Sequence, residues 1–323
     1  MLRHLSPLRQ TCPPRRSREM KGAAPARPRA LTQAALARWP LPAAGADADK
    51  EARGQVLVVA GSYEMPGAAL LAAVAALRAG AGKLTIAAPE RVAQGLAFAI
   101  PEARVMGLEE SKTGGLLPSG IKSLEAVASR ISAVVFGPGM TDEARSVRFL
   151  KGVLPLFKHG VAVLDALAMS AAQAGPFDQP VVMTPHAGEM AHLTGISKMD
   201  ICDEPLRIVR DAASRWNACV ALKGAVTYLA QPDGIAWRFD GGTPGLATSG
   251  SGDTLAGLIG GLAARGATPL QAAAWGVLLH AQAGHALSER YGEVGYLARQ
   301  LSAEVPALMH RLTQRPASKK RVR

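Results

Sequence analysis

The sequence predicts an α/β protein in which a mostly parallel central sheet is covered by helices on both faces. Short continuous apolar runs alternate with helix-patterned stretches of roughly ten to fifteen residues, the rhythm of βαβ units. Those runs carry no alternating polar residues, so the strands they form are buried on both sides. Glycine and proline clusters punctuate the boundaries.

Residues 55–60 (QVLVVA) form a β-branched run that stops at Gly61 and Ser62 and reads as the first buried strand. Residues 66–79 follow as a helix, with Pro66 at its start and Gly80 beyond its end. Strands over residues 83–88 and 104–108, a helix over 118–130 and a strand over 133–136 come next. The order repeats with a helix over 141–157, strands over 161–164 and 181–183, a helix over 204–216 and a strand over 218–222. Residues 226–230 and 235–239, joined by Pro232, Asp233 and Gly234, form a hairpin expected at one sheet edge. Three consecutive helices, over 251–265, 269–290 and 296–312, complete the pattern.

A chain of 323 residues that is 48% apolar and 19% charged can bury a sizeable core, and its composition excludes a fibre, a disulfide scaffold or a disordered chain. The net charge of +12 raises the question of a polyanionic partner. Residues 1–30 hold eight bases against Glu19, and residues 311–323 hold six bases and no acid, which leaves residues 31–310 with 23 bases and 24 acids. The basicity therefore belongs to the tails. No aromatic residue is interleaved there to stack on bases, so no nucleic acid is expected as partner. Five prolines within residues 1–30 break any long amphipathic transit helix, and an apolar secretory core is missing. The longest uncharged apolar runs, residues 66–77 and 254–264, are too short to span a bilayer. Cys12, Cys202 and Cys219 show no CxxC spacing, which favours a reduced, cytoplasmic setting without membrane attachment. The expected organisation is a basic, disordered extension and linker over residues 1–49, one domain over 50–312 and a basic tail over 313–323.

In an open α/β sheet, ligands bind beyond the carboxyl ends of the strands. The loops found there are Gly61-Ser62-Tyr63, Gly137-Pro138-Gly139, Asp165, Thr184-Pro185-His186-Ala187-Gly188-Glu189, Lys223-Gly224-Ala225 and the stretch 245–253. The strongest signal is Gly250-Ser251-Gly252-Asp253 opening an apolar helix. Glycines let the backbone approach a ligand, and first-turn amides form an anion hole suited to a phosphoryl group. A carboxylate at that position suits a base that takes a proton from an attacking hydroxyl. Taken alone, the same residues are explained as well by a turn with Asp253 as helix cap. Gly80-Ala81-Gly82-Lys83 fails as a phosphate loop, because its first glycine is missing and Leu84 follows the lysine. No GxGxxG follows the first strand, which disfavours a dinucleotide dehydrogenase. His186 is read as a binding or structural contact, and His280 and His285 as packing residues of an apolar helix.

Taken together, GSYEMPGAALLAAVAALRAGAGK, VVFGPGM, TPHAGEMAHLTG, ALKGAVT and PGLATSGSGDTLAG, in that order over residues 50–290, resemble the ADP-dependent NAD(P)H-hydrate dehydratases of the ribokinase-like superfamily. The resemblance implies a single-domain, three-layer α/β/α fold and a lyase that restores the S form of hydrated NADH or NADPH while ADP becomes AMP and phosphate. It implies that Ala68, Gly139, His186 and Asp253 contact the hydrate, with Asp253 catalytic, and that Lys223, Gly224, Ala225, Val226, Thr227 and Gly252 contact the nucleotide. Mg2+ is expected at the phosphates, and a homo-oligomer, with a tetramer as one form, is expected of the assembly. Only about 50 residues precede the first strand, so an epimerase for the R form is expected as a separate protein. Two departures stand out: Leu167 where relatives commonly have a second aspartate, and Thr141 where they commonly have glycine. The alternative reading is an ATP-dependent kinase for a small vitamin-precursor alcohol, which would use the same Asp253 base. A third is a nucleotide-binding regulator whose basic tails contact an acidic partner.

Overall fold

The structure is a computed structural model that describes residues 27–43 and 49–313. The expected basic extension and tail therefore fall for the most part outside the described residues. Along the chain, β1 (Arg29–Ala30) and α1 (Gln33–Ala37) precede the first long strand, β2 (Gln55–Val59), and its helix α2 (Pro66–Arg78). Then come β3 (Lys83–Pro89), α3 (Glu90–Ala99), β4 (Ala103–Leu108), α4 (Ile121–Ala128), β5 (Ala133–Phe136) and α5 (Glu143–Val153). The middle comprises β6 (Val161–Leu164), a 3₁₀ segment (Ala166–Ala174), β7 (Val181–Met183), α6 (Ala187–Thr194), α7 (Lys198–Asp203), α8 (Pro205–Trp216) and β8 (Cys219–Leu222). The hairpin β9 (Thr227–Ala230) and β10 (Ala236–Phe239) leads into α9 (Ser251–Ala264), α10 (Pro269–Tyr291) and α11 (Ala298–Thr313).

Ten strands form one sheet in the order β1-β10-β9-β8-β7-β6-β5-β2-β3-β4, and β9 alone runs against the others. Alternate residues of each buried strand enter opposite layers, as the two-residue period requires. Val56 and Val58 of β2 and Val135 of β5 face the layer of α2, α3, α9, α10 and α11. Leu57 and Val59, with Val134 and Phe136, face the layer of α4 to α8. The three-layer α/β/α architecture follows.

The first layer is built from small side chains because its helices approach closely. A Cβ added at Gly257 or Gly261 of α9 would stand 2.1 and 2.2 Å from the carbonyl oxygens of Ala72 and Ala76 in α2. The alanine-rich sequence of α2 is thus the counterpart of the glycines in α9, and together they set where the N-terminus of α9 ends.

The structured domain starts earlier than residue 50, contrary to the expected linker. Arg29 and Ala30 pair with Trp237 and Arg238, so β1 and not the hairpin forms that sheet edge. Leu31, Leu36 and Leu41 are buried in the core. Trp39 stacks on Trp237 at 5.8 Å, and its carbonyl accepts the Trp275 indole N–H at 3.0 Å. Gln271 Nε2 donates to the Pro40 carbonyl at 2.8 Å, and Arg265 donates to that of Pro42 at 3.2 Å. A short stretch with Arg29, Arg38, Pro40 and Pro42 looks like a linker in sequence, but its three leucines give it an apolar side that the hairpin strand and α10 bury.

Candidate active site

The strand order reverses between β2, which leads outward to β3 and β4, and β5, which returns on its other side. The loops after those strands meet at this switch point, where Gly61 N donates to the Pro138 carbonyl at 2.7 Å. A side chain at Gly139 would lie 2.6 Å from the Met65 carbonyl and 2.7 Å from Ala68 Cβ. Ala68 and Gly139 therefore touch, and the absence of bulk at both leaves the crevice open.

A cavity of about 830 Å3 lies beyond the ends of β6, β7 and β8. Asp165, His186, Glu189, Lys223, Gly252 and Asp253 line one end of it. Gly224, Ala225 and Thr227 line its wall, and Phe239, Pro244, Leu246 and Val277 make the other end apolar. Ala68, Gly139 and Val226 do not line this cavity. Seven of the ten expected site residues are thus brought together, and the other three are placed beside them in the chain or at the switch point.

Each polar group is positioned by an element end. Gly250 takes φ +85° as the N-cap of α9, a conformation that favours glycine, and a side chain there would strike Leu71 of α2 at 2.4 Å. Asp253 occupies the third helical position and makes no capping hydrogen bond, so the helix-cap reading of Asp253 fails. Its carboxyl is pushed up to about 6, by burial first and then by the negative charge of Asp165; Lys223 opposes the shift and Glu189 adds to it.

His186 has a structural role that the sequence left open. It caps α6, accepting at Nδ1 from Gly188 N (3.0 Å) and Glu189 N (3.1 Å), while Glu189 Oε2 accepts from His186 N (2.8 Å). This reciprocal box fixes Nδ1 as the acceptor, so a neutral ring carries its proton on Nε2. The adjoining Pro185 carbonyl accepts from Lys223 N at 2.7 Å, which ties the His186 loop to the Lys223 turn.

Lys223 stands between two carboxylates, 3.2 Å from Asp165 Oδ1 and 3.8 Å from Glu189 Oε2. Burial alone would lower its pKa, but Asp165, Glu189 and Asp253 outweigh it and the ammonium is held above its ordinary value. Asp165 is 3% exposed and also accepts from Thr184 Oγ1 at 2.6 Å. His280 does more than pack: its Nε2 lies 3.0 Å from both the hydroxyl and the carbonyl of Ser251 at the start of α9. Burial lowers it to about 4, so it is neutral near pH 7. His285 is a structural contact to the Gly241 carbonyl at 3.1 Å. Cys219 is no nucleophile, since burial pushes its thiol up to about 12.

The apolar end of the cavity was not legible in the sequence, because its residues come from β10, the loop before α9 and α10. Thr184 carried a weak signal, as a polar residue directly after a buried strand. Among the described residues, no group of three or more His, Cys, Asp or Glu side chains could hold a metal ion, and no helix is long and apolar enough to cross a membrane.

A mostly parallel sheet with a glycine-led helix N-terminus, an aspartate in its first turn and a half-apolar cavity gives an α/β protein with a candidate ligand site beyond its strand ends. A ribokinase-like superfamily protein from Enterococcus faecalis has this fold, with a TM-score of 0.78 and 25% identity over 93% of this chain and 100% of that one. The chain belongs to the NAD(P)H-hydrate dehydratase family, whose model matches residues 56–307. It is 48% identical over 286 residues to the ADP-dependent (S)-NAD(P)H-hydrate dehydratase of Xanthomonas campestris, spanning 88% of this chain and 98% of that relative. A bifunctional NAD(P)H-hydrate repair enzyme from Moorella thermoacetica is 37% identical over 88% of this chain, which spans 55% of that longer protein. The ADP/ATP-dependent NAD(P)H-hydrate dehydratase of Bacillus subtilis, co-crystallised with ATP and Mg2+, superposes with a TM-score of 0.76 at 28% identity, covering 89% of this chain and 99% of that one.

Proposed function

We propose that the protein repairs nicotinamide nucleotides, converting the S form of NADH or NADPH hydrate back to NADH or NADPH while ADP becomes AMP and phosphate. The observation that carries this reading is Asp253: a largely buried carboxylate, free of capping duty, at the mouth of a glycine-led helix N-terminus and facing a cavity that suits a nucleotide. Its raised pKa matches a general base that must accept a proton near neutral pH.

Hydroxide is a poor leaving group, so the ring hydroxyl is first phosphorylated and phosphate is then eliminated. Asp253 takes the hydroxyl proton as the oxygen attacks the terminal phosphorus of ADP, and AMP departs. Phosphate then leaves with the C–O electron pair, the neighbouring ring carbon gives up a proton to the departing phosphate or to water, and the C–H electron pair forms the double bond of the dihydronicotinamide. Net ADP hydrolysis drives the sum. Backbone amides at the start of α9 hold the transferred group, those of Gly250 and Gly252 foremost, since Ser251 N is turned to the Thr248 carbonyl at 3.2 Å. Lys223, Gly224, Ala225 and Thr227 with Gly252 form the nucleotide wall, and Val226 belongs to the same turn without lining the cavity. Ala68, Gly139 and His186 take the hydrate at the switch-point side.

The reacting end carries three carboxylates and one ammonium, so an unaccompanied diphosphate would be repelled. Mg2+, when bound to the phosphates, would supply the positive charge that offsets this repulsion. Asp165 and Glu189 are already paired with Lys223, and no protein cage for the ion is assigned. The R form of the hydrate is left to an epimerase acting elsewhere, and the assembly is read as homo-oligomeric.

Asp253→Asn tests the central role: nucleotide affinity measured by calorimetry should stay within about threefold, and turnover should fall at least about 100-fold. A variant with near-normal turnover would return Asp253 to a structural part. The vitamin-precursor kinase reading is set aside, because the Xanthomonas campestris and Bacillus subtilis relatives are NAD(P)H-hydrate dehydratases.

A further inference from the structure

We propose that Asp165 is a positioning residue for the reaction, anchoring Lys223 in front of the α9 N-terminus and holding Asp253 in the field of a second buried carboxylate. The inference rests on the dehydratase reading above, and it concerns a residue to which neither the family resemblance nor the proposed contacts give a part.

Three independent constraints fix this side chain. It extends from the end of β6, where Asp165 N donates to the Phe136 carbonyl at 3.0 Å. Its Oδ1 is shared by Thr184 Oγ1 at 2.6 Å and Lys223 Nζ at 3.2 Å. The following residue, Ala166, sits at φ +47°, a left-handed conformation unusual for alanine, so the chain turns away directly after the carboxylate. Thr184 comes from the strand end next door and is wholly buried, which leaves the carboxylate little freedom.

The side chain so fixed faces the reacting end. A Cβ at Gly252 would lie 3.9 Å from Asp165 Oδ2 and 3.5 Å from Lys223 Nζ, which puts both groups against the turn that receives the phosphoryl group. The charged groups facing Asp253 are Asp165 from β6, Glu189 from α6 and Lys223 from β8, with neutral His280 arriving from α10. Leu71 of α2 and Ala298 of α11 close the Gly250 side without charge. Glu189 is partly committed to capping α6, so Asp165 is the firmer anchor of the lysine. Removing its charge has two consequences with the same sign. Asp253 loses a like-charged neighbour, and Lys223 becomes free to approach Asp253; both stabilise the Asp253 carboxylate and make it a weaker base.

The test compares wild-type protein with Asp165→Asn, each labelled with 13C at aspartate carboxyl carbons, titrated without ligand by NMR. Asp253→Asn assigns the resonance. The Asp253 midpoint is expected to fall by about one pH unit in Asp165→Asn, with plateau kcat down about tenfold and the acid limb of the rate profile displaced to lower pH by the same amount. Asp165→Glu, which keeps the charge, should hold the midpoint within about 0.3 pH unit of wild type. A folded Asp165→Asn whose Asp253 midpoint and rate profile match wild type would overturn the proposal. If Asp165→Asn does not fold, Asp165→Ser makes the same comparison, and failure of both to fold also overturns it, since the side chain would then be a structural strut. The titration needs no substrate, so its outcome stays separate from that of the dehydratase reading, which wild-type turnover decides.

Discussion

Asp253, the proposed base, owes its properties to its surroundings. As a helix-opening aspartate it would ordinarily cap, yet Gly250 takes the cap position with a backbone that needs no side-chain help, and the carboxyl is left to the cavity. Burial and Asp165 raise its pKa from 3.8 to about 6. The acid limb of kcat/KM is therefore expected near pH 6, measured across pH 5 to 8; a limb near 4 would mean that the base is another group. The same shift has a cost in stability. A carboxyl whose folded pKa exceeds its unfolded value holds its proton more tightly when folded, so the folded state loses stability as pH rises from about 4 to about 6, and the loss is complete above that. Asp253→Asn, neutral throughout, should consequently melt higher than wild type at pH 8, by about 2 kcal/mol allowing for partial solvent screening, and show no gain at pH 4. Calorimetric melting at the two pH values checks both halves.

Among the elements, the buried strands and the long helices were legible because their signals are local. Continuous β-branched runs made β2, β5 and β6 recognisable, and the proline-to-glycine frame did the same for α2. The elements that escaped have weak or disguised signals. In α3 only Leu96 is buried and Phe98 is 81% exposed, so the helix has almost no apolar stripe to read. α6 hides behind a cap made by histidine, where the usual signature begins with serine, threonine or aspartate. The 3₁₀ segment after Asp165 is mostly alanine and lacks a period. The candidate site divides the same way. Asp253, His186 and the Lys223 turn were legible as strand-end loops, whereas the apolar wall needed the packing of α10 against the hairpin. Nothing in sequence showed that Lys223 would be paired with Asp165, since 58 residues separate them.

At the scale of the whole molecule, the packed domain includes residues 29–43, which close the sheet edge and cover one side of α10. Leu36 is fully buried in α1, and Leu36→Ala is expected to lower stability by about 3 kcal/mol, read by chemical denaturation. The Asp253 midpoint should be unchanged in that variant, because α1 lies against α10 and α11 and away from the strand ends. A variant that melted like wild type would mean that this segment is dispensable to the core. Charge also reads differently at this scale. The body of the chain, residues 31–310, is nearly neutral, so the proposed binding of anionic ligands rests on local groups, the α9 amides and Lys223, and not on an overall positive field of this body.

Turnover is the most direct test of the dehydratase assignment. Purified full-length protein is incubated with the S form of NADH hydrate, ADP and Mg2+, and absorbance at 340 nm is followed, with AMP and phosphate measured alongside. The expected result is recovery of absorbance with AMP and phosphate each formed one for one with NADH, and none without nucleotide. Absorbance that stays flat with ADP and with ATP would contradict the assignment.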